Sequence, residues 1–459
     1  MNIIYNSFIL NNGLRVIFIP RNDNPITSIS VFCRVGSRDE TSELEGASHF
    51  LEHMLFKGTP KRPSPKSISK ELDSIGAYFN AYTDKNLTSY IVKVNSEFTQ
   101  RGIDILGDMM ANSLIKEEET LMEKQVVVEE INRSLDNPSV RIIEDIYQII
   151  YKGHPLEHSI GSTEDKILNY NRDKVFEYYK KFYSSNNMVI SIVSNLKLET
   201  IKKFINKSDF MKLGANNNLN HSIVPLGKQP APQFSISSKN LEQLHLAVGF
   251  PVCDRHSEDR YTLDLINVLL AGNMSSRLFT ELREENGLTY NVAIDLSYYQ
   301  EAGNFIIVTS IDKNSLFDNK TLLENENQSE FFFSKLFEQN NTVDSKKPGA
   351  LPIILENLKK LKEELVPKDE LELVKGYFRG NMVLEKEDSH NLSDYFGKQL
   401  LFNYNPIMNF GLILDKYNSI SSKKIKSVAK KYFDFNKINI SIIGDTNQSN
   451  IMSLVKKYQ

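Results

Sequence analysis

Apolar positions along the chain fall into two kinds of run. The first twenty residues, MNIIYNSFILNNGLRVIFIP, place two apolar segments on either side of Asn-Asn-Gly. That is the chemistry of a turn between two strands, and it predicts a hairpin-like pair at the N-terminus. Residues 174–195, KVFEYYKKFYSSNNMVISIVSN, read as an amphipathic helix, a short Asn-containing turn and a buried strand. The same pattern returns without gaps at 424–445, KIKSVAKKYFDFNKINISIIGD, with Lys180-Lys181-Phe182-Tyr183 falling on Lys430-Lys431-Tyr432-Phe433. A looser parallel relates 76–98, GAYFNAYTDKNLTSYIVKVNSEF, to 287–314, GLTYNVAIDLSYYQEAGNFIIVTSIDKN. Each follows a helix and reads as paired strands. Two matches in the same order predict duplicated domains.

Runs of strands and runs of helices do not alternate regularly, so the fold class is α+β. Each half is expected to be a mostly antiparallel sheet with helices packed on one face. The stretch 214–233, GANNNLNHSIVPLGKQPAPQ, is rich in Asn, Pro and Gly and has no period, as in a linker. The expected domains are therefore 1–222 and 233–459. An irregular stretch from Leu316 to Pro352 interrupts the second half and reads as an insertion near 316–350.

Composition narrows the function classes. The net charge of −3 gives no reason to expect nucleic acid or an anionic membrane as partner. No run approaches the ~20 apolar residues of a membrane span. The N-terminus lacks a basic start, a small-residue cleavage site and the Arg-rich character of a presequence. Cys33 and Cys253 lie far apart in apolar strand-like runs and read as two buried free thiols. The expected location is cytoplasmic.

The chain has eight histidines, and two of them lie in ASHFLEHMLFKGT, residues 47–59. Helical spacing over 43–58 puts His49 and His53 at i and i+4, one turn apart on one face. That pair can present two imidazole nitrogens to one Zn²⁺. Glu52 lies beside that face, where it can reach a water without being a ligand. H-x-x-E-H is an inverted zincin signature in which the Glu is the general base. A third ligand is expected from the helical stretch LMEKQVVVEEINRSL, 121–135. Glu129 and Glu130 point about 100° apart, so one of them faces the site. Glu130 is the choice, because Glu123 lies two turns before it on the same face. Glu123 is then an auxiliary carboxylate able to orient a ligating imidazole. Farther on, SSRLFTELREENGLTYNV (275–292) reads as a helix ending at Gly287, with Arg283 near its end and Tyr290 on the next strand.

These segments together resemble the M16 family of metallopeptidases, the pitrilysin and insulinase relatives. In this sequence 76 residues lie between His53 and Glu130, close to the family spacing. LNNGLRVIFIP, VGSRDE, HFLEHMLFKGT and EKQVVVEEI are similar to family segments in the same order. The resemblance spans nearly the whole chain apart from roughly 316–350. It implies one Zn²⁺ per chain held by His49, His53 and Glu130, with Glu52 as catalytic base. It implies that Arg283 and Tyr290 bind the peptide and help stabilise the oxyanion. It also implies that Asn80, Ala81 and Tyr82, in GAYFNAYTDKNLTSY, lie on an edge strand whose backbone pairs with an extended substrate.

The implied activity is zinc-dependent endopeptidase hydrolysis of peptides or unfolded segments inside a clamshell chamber. Family chambers are built from four similar domains, so a chain with room for two implies a homodimer, with a heterodimer left open. The rival reading is a non-catalytic scaffold or partner subunit of a processing-peptidase-like complex. Such relatives have degraded zinc motifs, whereas all four motif residues are present here.

Overall fold

The computed structural model describes residues 3–221, 223–317 and 348–459. The core of the expected insertion, 318–347, lies outside the described residues. Two compact units form. The first comprises Met1–Ser134, His158–Ser222 and Arg379–Asp415; the second comprises Leu135–Glu157, Ile223–Phe378 and Lys416–Gln459. The chain passes from one unit to the other at 222–223, within the expected linker. It also exchanges 135–157 and 379–415, so neither unit is one continuous stretch.

The first unit is built on a six-stranded sheet. Its strands are β1 (Asn6–Ile9), β2 (Arg15–Pro20), β3 (Ile26–Cys33), β4 (Tyr78–Thr83), β5 (Thr88–Asn95) and β6 (Met188–Ser194), in the spatial order β1-β2-β6-β3-β5-β4. Only β2 and β6 run parallel. The second unit holds β7 (Gln233–Ser237), β8 (Gln243–Val252), β9 (Thr289–Tyr298), β10 (Gly303–Asp312) and β11 (Asn439–Ile443), ordered β7-β11-β8-β10-β9. Here β7 and β11 are the parallel pair. The two orders superpose strand for strand once β1 is set aside. In each, a late strand inserts between the first two and follows the Lys-Lys helix, Arg172–Phe182 or Ser422–Tyr432. The repeat seen in the sequence is thus a repeat of topology.

The α+β class holds, and helices pack on both faces of the first sheet. One face of the first sheet carries Ile29, Val31 and Cys33 into a core shared with Ile103, Leu106 and Met110 of the helix Thr99–Asn112. The other carries Ser28, Ser30 and Phe32, all fully buried. They are covered by the helix Ser389–Leu401, whose Ser393 hydroxyl donates to the Ser191 carbonyl at 3.0 Å and lies in hydrogen-bond contact with Ser30 Oγ at 2.9 Å. A Cβ on Gly397 would lie 2.3 Å from Phe32 Cε2, so this approach requires glycine. The second sheet receives the helix Pro138–Ile150 in the same way. Its residues Ile142, Ile146 and Ile150 pack against Ala247, Ile306 and Ile443.

Both cysteines are buried and free. No helix among the described residues is long and apolar enough to cross a membrane.

Candidate metal centre

The helix Ala47–Met54 carries the HxxEH motif and is shorter than the sequence spacing over 43–58 suggested. Phe50, Leu51 and Met54 anchor one side of it in the first unit's core. Its N-terminus is tied by a residue that the sequence reading missed. Glu40, buried, accepts from the backbone N–H of Gly46 at 2.6 Å and of Ser48 at 2.8 Å. A carboxylate at a helix N-terminus satisfies donors that have no intrahelical partner. Burial pushes the Glu40 carboxyl up to about 8, against the opposing pull of those two N–H groups.

With its core side fixed, the helix turns His49 and His53 together, their rings edge to face at 4.8 Å between centroids. Their Nε2 atoms are 3.3 Å apart. The 20-residue helix Glu117–Asp136 supplies Glu130. Its Oε1 lies 3.8 Å from His49 Nε2, and its Oε2 lies 3.5 Å from His53 Nε2. Among the described residues, these three alone meet as a set able to hold a metal ion, all donor atoms within 4.8 Å of one another.

The set fits zinc. Tetrahedral bonds of roughly 2.0–2.1 Å place neighbouring donor atoms about 3.3–3.4 Å apart. The observed spacings lie close to that, and two imidazoles with one carboxylate are the donors such a site uses. A three-residue set also leaves a fourth position open, as catalytic sites require.

Glu123, two turns before Glu130, is almost fully buried. Its Oε1 lies 2.9 Å from His53 Nδ1, and its Oε2 is paired with Lys57 Nζ. His53 therefore donates from Nδ1, leaving the Nε2 lone pair turned toward His49 and Glu130. Burial favours the neutral His53 ring, but the Glu123 hydrogen bond and the charges of Glu123, Glu130 and Glu52 outweigh it, raising its pKa. His49 moves the other way. Burial, reinforced by the charge of His53 and opposed by Glu130, lowers it to about 4. Burial alone would raise the Glu123 pKa; hydrogen bonds from His53 and Lys57 bring it below the usual value.

Glu52 is outside the ligand triangle. Its Oε2 accepts from Thr83 Oγ1 at 2.6 Å, and its Oε1 has no protein partner among the described residues. Burial raises its pKa, partly offset by the Thr83 hydrogen bond. Thr83 ends β4, which among the described residues pairs only with β5 and so forms the sheet edge. On this strand Asn80 is exposed and its Oδ1 accepts from the Ala81 N–H at 2.9 Å. The Ala81 N–H therefore points away from β5, to the open side. Tyr82 is tied down instead, its hydroxyl donating to Asp394 Oδ1 at 2.6 Å.

Arg283 and Tyr290 belong to the second unit. The helix ending at Gly287 is a short α-helical turn, Arg277–Phe279, followed by a wider π-helical turn, Thr280–Glu285, which carries Arg283. The guanidinium sits 4.8 Å from the Phe279 ring centroid and 4.7 Å from that of Tyr290. Tyr290 is 80 % exposed, so the pair presents a stacked cation and a phenol to the surroundings.

Three residues that the sequence reading did not single out, Glu40, Lys57 and Thr83, thus complete the centre. Lys57 had a local signal, four residues after His53. Glu40 and Thr83 had none, since their partners come from elsewhere in the chain.

Comparison with known proteins places the chain in a family. Residues 15–164 match the insulinase family (peptidase family M16), and residues 169–326 match the domain described as the peptidase M16 inactive domain. A protein from Bacillus subtilis named an uncharacterized zinc protease is 30% identical over 430 residues, covering 92% of this chain and 94% of its own. One of the same description from Rickettsia felis is 36% identical over 303 residues, 66% of this chain and 72% of its own. A protease from Helicobacter pylori of known crystal structure shares the fold, with a TM-score of 0.83 at 20% identity, covering 96% of this chain and all of that one. A Pseudomonas fluorescens structure described as a peptidase M16 inactive domain gives 0.81 at 17%, covering 97% and 98%. With HxxEH and a distant glutamate folded into one donor triangle, and likeness along almost its full length, this chain belongs to the M16 (insulinase) peptidase family.

Proposed function

We propose that the protein is a zinc-dependent endopeptidase that hydrolyses peptides or unfolded segments. The observation that carries this reading is the donor triangle of His49, His53 and Glu130, with a Glu52 oxygen beside it that has no partner among the described residues. Zinc held by those three side chains supplies Lewis-acid polarisation of water and of the scissile carbonyl. Glu52 takes a proton from the attacking water at its carboxylate and later delivers it to the leaving amine. Its raised pKa suits both halves of that exchange. Thr83 fixes one Glu52 oxygen so that the other faces the reaction. Glu123 and Lys57 hold His53 in the tautomer that leaves Nε2 free.

The open side of β4 suits an extended peptide, because a sheet edge offers unpaired backbone groups. Arg283 and Tyr290 carry a guanidinium and a phenol suited to a peptide carbonyl or a developing oxyanion. A homodimer fits a chain that carries both the zinc motif and this pair.

The test is cleavage of a quenched fluorescent peptide by the wild type, by Glu52→Gln and by chelator-treated protein, with zinc quantified in each. The expected result is activity in the untreated wild type alone, with zinc retained by Glu52→Gln. Normal cleavage by Glu52→Gln overturns the mechanism. Folded wild type with neither zinc nor cleavage replaces the enzyme reading with a non-catalytic scaffold.

A further inference from the structure

The two imidazoles of the donor triangle are supported unequally. His53 is held through its ring, by the contact of Nδ1 with Glu123. His49 Nδ1 is buried and has no hydrogen-bond partner among the described residues. A ligating imidazole ordinarily gives that nitrogen to a carboxylate, a carbonyl or a water, which sets the direction of the ring. The direction of the His49 ring therefore depends on its packing and on the backbone that carries it.

That backbone lies in the first turn of a helix only eight residues long. The first four N–H groups of a helix have no partner within it. A capping side chain commonly serves them. Here the cap position is Gly46, which makes no side-chain bond, and no acidic residue stands in the first turn. Nor is there room for a side chain at the cap: φ is +93°, and a Cβ would lie 2.6 Å from Ser162 Cβ. Glu40 supplies the missing acceptor from outside the helix. Its Oε2 receives the Gly46 N–H at 2.6 Å, and its Oε1 receives the Ser48 N–H at 2.8 Å. Ser48 is the residue immediately before His49.

Two tyrosines hold the same turn. The Tyr178 hydroxyl lies 3.0 Å from Ser48 Oγ, and the Tyr170 hydroxyl donates to the Glu45 carbonyl at 2.5 Å. Each tyrosine touches one atom of the turn. The carboxylate bridges two N–H groups two residues apart, and so fixes the direction of the turn as well as its place. Glu40 is only 6% exposed, and hydrogen bonds to a carboxylate shielded from water are among the strong ones.

We infer that Glu40 is the positioning residue for His49. It does through the backbone, for one zinc ligand, what Glu123 does through the ring for the other. The inference rests on the zinc reading proposed above. Metal sites need their ligands held within roughly 0.5 Å of the productive geometry. Glu40→Gln keeps the shape of the side chain but turns an amide N–H₂ toward one of the two backbone N–H groups, so that bond is lost.

Co²⁺ is the probe, because its visible absorption reports ligand geometry as well as occupancy. The full chain is stripped of metal with a chelator and titrated with cobalt chloride, as wild type, Glu40→Gln and Glu40→Asp. Glu40→Gln should bind Co²⁺ about ten-fold more weakly or worse, with shifted visible bands and an unchanged circular dichroism spectrum. Glu40→Asp keeps both acceptor oxygens on a shorter stem and should fall between the other two. If Glu40→Gln fails to fold, Glu40→Asp decides alone by the same comparison with wild type. A role confined to stability would lower the urea midpoint of the metal-free protein and leave the affinity and spectrum of the Co²⁺ form at wild-type values; that outcome overturns the inference while the zinc reading stands. A folded wild type that takes up no Co²⁺ overturns the zinc reading and the inference together.

Discussion

His53 and Glu123 are joined by a 2.9 Å contact between Nδ1 and Oε1, and the second oxygen of Glu123 is held by Lys57. The Lys57–Glu123–His53 chain fixes the imidazole's tautomer and orientation before any metal arrives. Replacing Glu123 by Gln keeps the shape but removes the charge, and allows the amide to present N–H toward Nδ1. Losses of such supporting carboxylates weaken metal affinity by about 10–100-fold. Competition with a chromogenic chelator should therefore show Glu123→Gln binding zinc at least ten-fold more weakly than wild type. Lys57→Met should show a smaller loss, since it acts one bond farther away. Equal affinity in all three proteins would refute a supporting role for Glu123.

Close packing of Gly397 on Phe32 predicts opposite outcomes for two chemically identical substitutions. A Cβ at Gly397 meets the Phe32 ring at 2.3 Å and Ser191 Cβ at 2.9 Å. Gly380, in the helix Lys368–Glu385, has nothing within 4 Å of such an atom. Gly397→Ala should destabilise by about 1–3 kcal/mol through overpacking. Gly380→Ala should stabilise by about 0.5–1 kcal/mol, because alanine loses less backbone freedom on folding. Urea midpoints of the two variants should move in opposite directions from wild type.

The same contact explains what the sequence concealed. In Ser28-Ile29-Ser30-Val31 the alternation of serine with aliphatic residues reads as a strand with one watered face. The structure buries the serine face as deeply as the other, under a helix more than 350 residues away in the chain. Small hydroxyls make room for close helix packing, and nothing local distinguishes that use from exposure. By contrast, His49, His53, Glu123 and Glu130 were legible because helical spacing alone puts each pair on one face. The repeat was legible because the Lys-Lys helix and its following strand are local patterns that occur twice. Glu40 and Thr83 were not, because each acts through a partner brought near only by the folded sheet and helix.

Asp259 gives the second unit a pH-dependent anchor. Its carboxylate accepts from Lys424 at 2.6 Å, Lys431 at 2.7 Å and the Tyr432 hydroxyl at 3.0 Å. Burial alone would raise its pKa, but these bonds lower it from 3.8 to about 2. A carboxylate depressed in the folded state stabilises fully above its unfolded pKa, and loses that contribution as pH falls through the folded value. The difference corresponds to about 2 kcal/mol; the exposure of the two lysines reduces it to about 1 kcal/mol. Asp259→Asn should therefore be less stable than wild type at pH 6, and the gap should close between pH 4 and pH 2. A gap independent of pH over that range would assign the effect to packing.

Thr83 bears on the proposed reaction most directly. Its hydroxyl donates to Glu52 at 2.6 Å from the last residue of the edge strand, so one bond links the candidate base to the strand suited to substrate. Thr83→Val preserves the shape of the side chain and the β-branched character that suits a strand, while removing the donor. Glu52 is then free to rotate, and the loss of one hydrogen bond to a charged group is worth about 1.5–3 kcal/mol. At the barrier, about 1.4 kcal/mol is a ten-fold change in rate. Peptide cleavage by Thr83→Val should fall about ten-fold or more in kcat with zinc content unchanged, and Thr83→Ser, which restores the hydroxyl, should recover most of it. A serine variant as slow as the valine variant would mean that the methyl group's packing matters and the hydrogen bond does not.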